Sequence, residues 1–193
     1  MRPFDLSVFD GPLRVPELEG DGVHLRAFRT SDLALVREAS HDPFIPSISS
    51  IPRRYSDDEG RAFIERQHER AEGGHGFPFV IARAGEPGHG VGAIGLWLRE
   101  IDSGRASLGY WVVPGARGAN LAAAALRRVV AFAFGELAIP RLHLFVEPWN
   151  VASIRTAEAA GFEREALLRG WERVEGTQRD AYCFVRLLEE AAP

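Results

Sequence analysis

The run Tyr110-Trp-Val-Val-Pro-Gly-Ala-Arg-Gly-Ala-Asn-Leu-Ala122 carries the first usable chemistry. Alternating apolar residues stop at Pro114-Gly115, small residues follow, and an apolar stripe at helical spacing begins. A strand that turns sharply into a helix exposes backbone N–H groups with no partner inside that helix. The helix dipole adds positive potential at the same end, which suits a pyrophosphate. Small residues at Gly118, Ala119 and Ala122 let a phosphate approach the backbone. On loop chemistry alone, a plain strand–helix corner accounts for this run equally well.

A second corner of this kind lies in Val146-Glu-Pro-Trp-Asn-Val-Ala-Ser-Ile-Arg-Thr-Ala-Glu-Ala-Ala-Gly-Phe162. Asn150 is placed to cap a short helix that Gly161 ends. Parallel strands whose C-terminal ends diverge leave a crevice, and ligands favour such a crevice.

Other apparent motifs carry less. Gly90-Val-Gly-Ala-Ile-Gly95 fits the spacing G-x-G-x-x-G, but a strand continues through Leu96-Trp97-Leu98 where a dinucleotide site needs a helix. Glycines easing a twisted hairpin are the better reading. Cys183 sits in the alternating run Ala-Tyr-Cys-Phe-Val and reads as a small core residue. The six histidines show no ligand-like spacing, so no metal is expected.

The elements that must position the two corners follow from periodicity. Strands are predicted at 23–28, 77–83, 91–100, 106–113, 142–147, 162–168 and 180–187. Helices are predicted at 31–40, 57–72, 120–134 and 151–160, with Ser31, Ser56 and Asn150 as N-caps and Glu59 completing a capping box. Turns fall at Asp102-Ser103-Gly104 and at Glu175-Gly176, and Pro43, Pro46 and Pro52 make 42–55 an irregular loop. The strand–helix–strand step from 106–113 to 142–147 demands one parallel pair in an otherwise antiparallel sheet. The fold class is α/β (α+β), with about seven strands, a splayed parallel pair and about four flanking helices.

Composition narrows the function. A chain of 193 residues suits one domain; residues 1–17, with Pro3, Pro12 and Pro16, read as an arm laid over a domain of 18–193. The formal net charge of −4 argues against a general nucleic-acid binder. Every basic residue is arginine, which excludes a lysine Schiff base and a P-loop lysine. One cysteine forbids an intrachain disulfide, and no long apolar run suggests a membrane span. The first residues lack the apolar core of a secretory signal, so a cytoplasmic protein is the expectation.

Taken together, the two corners resemble the GCN5-related N-acetyltransferase superfamily, and within it the RimJ/RimL-like branch that acetylates ribosomal-protein N-termini. The resemblance rests on Gly-Tyr-Trp-Val-Val-Pro at 109–114, Arg-Gly-Ala-Asn-Leu-Ala at 117–122, Asn-x-Ala-Ser at 150–153 and Ala-Glu-Ala-Ala-Gly-Phe at 157–162. Val-His-Leu-Arg-Ala-Phe at 23–28 with Asp32 also fits, and coverage runs from about 18 to 188. It implies acetyl-coenzyme A as co-substrate, no metal, and direct attack by an amine in a ternary complex. It places Val112 and Val113 beside the pantetheine arm and one of their amides at the oxyanion. Arg117, Gly118, Ala119, Asn120, Leu121 and Ala122 fall at the pyrophosphate. Asn150 and Ser153 fall near the thiol, with Ser153 as candidate proton donor.

Two positions depart from the superfamily pattern: Asn120 stands where a central glycine is usual, and Ala157 where many members carry a tyrosine. Asparagine tolerates the left-handed backbone better than most residues. Candidate bases are Glu100 at a strand end and His41 or Asp42 at the start of the loop expected to cover the acceptor site, and strand-end carboxylates are commonly solvated. Ser107 replaces a glutamate found in some relatives, so water is expected to relay the proton and no single base to be indispensable. Phe44, Trp97, Trp149 and Trp171 are candidates to line the acceptor pocket. The expected acceptor is a protein or peptide N-terminal amine, with a small-molecule amine (antibiotic or amino sugar) or a catalytically weak coenzyme-A sensor as alternatives, in a monomer or homodimer.

Overall fold

The structure is a computed structural model that describes residues 3–174 and 176–189. One mixed sheet of eight strands organises the chain, in the order β1-β2-β3-β4-β5-β6-β8-β7. These are β1 (Leu18–Gly20), β2 (Val23–Arg26), β3 (Gly76–Arg83), β4 (Glu86–Trp97), β5 (Arg105–Val112), β6 (Arg141–Val146), β7 (Glu163–Val174) and β8 (Thr177–Leu187). The α-helices are α1 (Leu33–His41), α2 (Ile45–Ile48), α3 (Asp57–Glu72), α4 (Leu121–Gly135) and α5 (Val151–Ala159).

Two elements exceed the sequence expectation. β1 is only three residues long, too short for an alternating pattern, and exists because it pairs with β2. α2 falls inside the predicted irregular loop. Its Pro46 sits in the first turn, where a missing N–H breaks no helical bond. The predicted turn at Glu175-Gly176 lies partly outside the described residues; Gly176 itself has φ +82°, as a turn requires. β4 ends at Trp97 rather than at Glu100, because a 3₁₀ turn at Ile101–Ser103 takes over and Gly104 closes it with φ +69°.

The sheet is covered on both faces. Phe77 and Phe79 of β3 meet Phe132 of α4 edge-to-face on one side. On the other, a Cβ at Gly90 would meet Leu35 of α1 and Val80 of β3, so this glycine is needed for α1 to pack on the sheet. The G-x-G-x-x-G run lies entirely within β4. A Cβ at Gly95 would strike the Trp97 indole at 2.2 Å. The glycines therefore serve close packing within a strand.

One buried ion pair ties the end of β2 to the start of α1. The Arg26 guanidinium and Asp32 carboxylate form two 2.8 Å hydrogen bonds with both side chains about 1% exposed. Arg26 also donates to the carbonyls of Pro87 and Ala27, and Asp32 accepts the Arg29 amide. Such satisfaction is what makes buried charge tolerable.

Candidate active site

β5 and β6 are paired in parallel only at Arg105–Arg141, Ala106–Leu142 and Ser107–His143, after which they separate. The splay leaves the C-terminal half of β5 with one open edge. Residue alternation decides which groups face it. Val113 is turned away: its N–H donates to the Val91 carbonyl at 3.0 Å and its own carbonyl accepts the Ala116 amide. By the antiparallel alternation, the main-chain groups of Tyr110 and Val112 point to the gap instead. The expectation for the pair is thus corrected. Val112 offers an amide to the gap, and both main-chain groups of Val113 are consumed by β4 and the following turn.

The loop beyond β5 rises through a 3₁₀ turn at Pro114–Ala116 into α4. Gly118 has φ +79° and a Cβ there would meet nothing within 4 Å, so its side stands open. Asn120 is the residue before the helix, at φ 57° and ψ 16°, and its side chain makes no capping bond. The first helical bond runs from the Ala124 amide to the Asn120 carbonyl at 3.1 Å. The amides ahead of it, at Leu121, Ala122 and Ala123, have no helical acceptor. Such a cluster of main-chain donors has the chemistry to take an anion, and exposed Ala119 and half-buried Ala122 keep its surroundings small.

Arg117 lies in that loop but its side chain is already engaged. It donates from Nε to the Val112 carbonyl at 3.0 Å and from a terminal nitrogen to Asp42 at 2.7 Å. Asp42 is buried and also accepts the amides of Phe44 and Ile45. Burial alone would raise its pKa, but the two amides and Arg117 outweigh burial and hold the carboxyl below its ordinary value. Asp42 is accordingly an anchor for α2 rather than a base. His41 is exposed and bonded to the Arg37 carbonyl on its own helix.

At the second corner Asn150 caps α5 directly, its side-chain oxygen accepting the Ser153 amide at 3.1 Å. The Ser153 hydroxyl lies 2.9 Å from the Tyr110 phenol, which also bonds the Ser153 carbonyl at 3.1 Å. Burial pushes the Tyr110 pKa up to about 12, against a smaller pull from Ser153 and Thr156, so the phenol stays protonated. Sequence reasoning sought a tyrosine at Ala157 and missed this one. Tyr110 reaches the same helix from the facing strand, and only strand phase signalled it.

On the opposite face of the sheet a groove of about 1660 Å³ runs between α3, β4–β6 and the β7–β8 hairpin. Glu100 lines it, 3.4 Å from Arg105 and 3.7 Å from His143, and is about half exposed. His143 is nearly buried; desolvation pushes its pKa below the ordinary 6.5, against the pull of Glu100, so it is neutral at pH 7. Trp97 and Trp171 line the groove, the latter packed at a tilt of 40° on Phe145 with ring centroids 4.8 Å apart. Phe44 and Trp149 pack edge-to-face on each other at 5.0 Å, away from the groove lining. Cys183 borders the groove but burial raises its thiol pKa, which opposes nucleophilic use. Among the described residues no cluster of His, Cys, Asp and Glu suits a metal.

Comparison with known proteins gives the family and the fold. Residues 23–163 match the family described as Acetyltransferase (GNAT) domain, and the chain belongs to that family. It is therefore an acetyltransferase dependent on acetyl-coenzyme A. The uncharacterized N-acetyltransferase p20 of Bacillus licheniformis is 26% identical over 168 residues, covering 87% of this chain and 94% of that protein. Mycobacterium smegmatis RimJ, solved with CoA-disulfide, superposes with a TM-score of 0.76 at 24% identity, over 90% of this chain and 86% of RimJ. The ribosomal-protein-S5-alanine acetyltransferase of Vibrio fischeri gives 0.75 at 15% identity, over 92% and 100%.

Proposed function

We propose that this enzyme acetylates the free α-amine at a protein N-terminus, by direct attack with donor and acceptor held together. The observation that carries the reading is the splay of β5 from β6 beyond Ser107–His143, which leaves an open strand edge ahead of the 117–123 corner, with Gly109, Tyr110 and Trp111 of that same strand lining the groove. The residues fit acetyl-coenzyme A on their own geometry: an open strand edge at Tyr110 and Val112, and unpaired amides at the start of α4. Gly118 through Ala122 would hold the pyrophosphate, and the Val112 amide would face the pantetheine and the carbonyl oxygen. The donor supplies a thioester carbonyl, and the protein's part is to place an amine against it. Ser153, held by Asn150 and Tyr110, is the proton donor toward the departing sulfur. Glu100 and neutral His143 receive the amine proton through water in the groove. Residues 1–17 serve as an arm on a catalytic unit of 18–193. A single cysteine and, among the described residues, no helix able to cross a membrane support action in the cytoplasm.

A peptide α-amine, with a pKa near ~8, is the acceptor most often uncharged at neutral pH, whereas alkyl amines near ~10 are almost fully protonated. That difference favours N-termini over small polyamines. The test is an assay of acetyl transfer to a panel of peptides, polyamines and amino sugars, beside donor hydrolysis. N-terminal acetylation of peptides should dominate. Turnover of amino sugars alone would replace this reading with the small-molecule one, and binding of acetyl-coenzyme A without any turnover would make the protein a sensor.

A further inference from the structure

The charges of the groove are unbalanced. Arg70, Arg99, Arg105 and Arg141 line it, against the single carboxylate of Glu100. Arg105 is matched by Glu100, and Arg141 by Glu165 just outside the lining. Arg70 and Arg99 have no carboxylate partner among the described residues.

Arg70 is the more constrained of the two. It projects from the last turn of α3, half-buried, with its guanidinium 2.9 Å from Gln67 Oε1 and 3.2 Å from Ser50 Oγ. Its Cζ lies over the Trp97 ring, 5.2 Å from the centroid. Burial, reinforced by neighbouring Arg66, lowers its pKa, as expected for a cation that lacks a counter-ion. Gln67 is itself buried and bonded to the Phe63 carbonyl, which fixes the direction of its amide. The far edge of the Trp97 indole faces Gly109, next to Tyr110 of the splayed edge; a Cβ on Gly109 would lie 3.7 Å from the indole nitrogen. The guanidinium and the reaction edge thus flank one indole ring. An extended peptide advances about 3.3–3.6 Å per residue, so an acceptor that crossed the Trp97 ring from the edge would bring its second or third side chain toward Arg70.

We infer that Arg70, seated on Trp97 and held by Gln67 and Ser50, is an anion-recognition subsite that selects acceptor N-termini carrying an acidic side chain at the second or third residue. This rests on the N-terminal acceptor reading proposed above. Arg99 adds positive potential at the same groove without a comparable seat. The subsite also rejects polycationic acceptors, because a second ammonium group would meet an uncompensated guanidinium.

The test uses peptides that share one N-terminal residue and carry Glu, Gln or Lys at positions two and three, assayed with the intact enzyme and with Arg70→Gln and Arg70→Lys. The intact enzyme should favour the Glu peptide over the Gln peptide by about tenfold in kcat/KM, chiefly through KM, and the preference should shrink at 0.5 M salt. Arg70→Gln should abolish the preference while leaving the Gln peptide within about threefold, and Arg70→Lys should retain part of it. Equal rates for Glu and Gln peptides, or a preference that survives Arg70→Gln in a variant of normal Tm, overturns the proposal. A parallel series of small amines, each as free acid and as amide, separates the two ideas. Turnover of only the small acids, with the same dependence on Arg70, would sink the N-terminal reading and keep the anion subsite. If no series is turned over, peptide binding followed by calorimetry decides, and equal Kd for Glu and Gln peptides overturns the subsite.

Discussion

The two strand–helix corners that flank the crevice are built alike and finished in opposite ways. Each follows a parallel strand and opens a helix behind an asparagine. Asn150 spends its side chain on the Ser153 amide, so the α5 corner satisfies itself and fixes Ser153 in place. Asn120 takes the left-handed conformation and its side chain caps nothing, so the first amides of the α4 corner have no side-chain acceptor from it. The same residue type closes one helix and leaves the other open, and the difference lies in backbone conformation. One corner positions a side chain; in the proposed reading the other is itself the binding group.

The strongest way to break this comparison is to close the open corner. Ala119→Asp sets a carboxylate against the free amides of α4, where it should oppose phosphate. Like charges brought together cost several kcal/mol, so donor affinity should fall by about a hundredfold. The stabilisation that acetyl-coenzyme A gives in a thermal shift should disappear with it. The matching change Ala152→Asp at the α5 corner should leave donor affinity within a few-fold. Equal losses at both corners would mean that the open amides are not the phosphate site.

Chemistry at the second corner is a smaller effect, read in kcat. Ser153→Ala should lower kcat by roughly tenfold to a hundredfold with donor Kd unchanged, as for an acid–base group in proton transfer. Tyr110→Phe removes the phenol that holds the Ser153 hydroxyl and should cost less, since Ser153 remains. With the Tyr110 pKa near about 12, no descending limb from this phenol should appear below pH 10. An alkaline limb near pH 8 that vanishes in Tyr110→Phe would contradict the buried, neutral phenol.

The proton-accepting side gives a pH signature. Because burial lowers the His143 pKa below 6.5, the neutral form persists as pH falls through that value. The unfolded chain takes up its proton first, so His143 contributes stability above pH 6.5 that is lost as pH falls toward the folded pKa. His143→Gln should flatten that loss in melting curves recorded between pH 5 and 7. Glu100→Gln should reduce kcat/KM by less than about tenfold, because water shares the transfer.

The smallest effects are on stability. Asn150→Ala removes a side-chain cap and should cost about 1 kcal/mol. Asn120→Gly relieves a left-handed asparagine and should leave stability unchanged or raise it by up to about 1 kcal/mol, with donor affinity preserved. A large loss of donor affinity in Asn120→Gly would show that the side chain itself contacts the ligand.

Local pattern alone determined much of this molecule. Both corners, the helices at 57–72 and 151–160, the Asn150 cap and the parallel step between β5 and β6 all follow from residue spacing, because caps, helical stripes and strand breaks are short-range features. Short β1 and the Pro46-containing α2 escaped that reading, since one exists through pairing and the other through a cap from Asp42. The site was decided at longer range. The alternation of β5 against β4 consumes Val113 and frees Val112, and that phase depends on the register of two strands. Asp42 looks like a base in sequence and becomes an anchor only when the chain brings Arg117 to it across 75 positions. Tyr110 meets Ser153 across 43 positions, and Arg70 meets Trp97 from a helix two elements away. Hydrogen-bond partners and the desolvation of a charge are properties of packed neighbours, so the surroundings of these residues arose only in the folded chain.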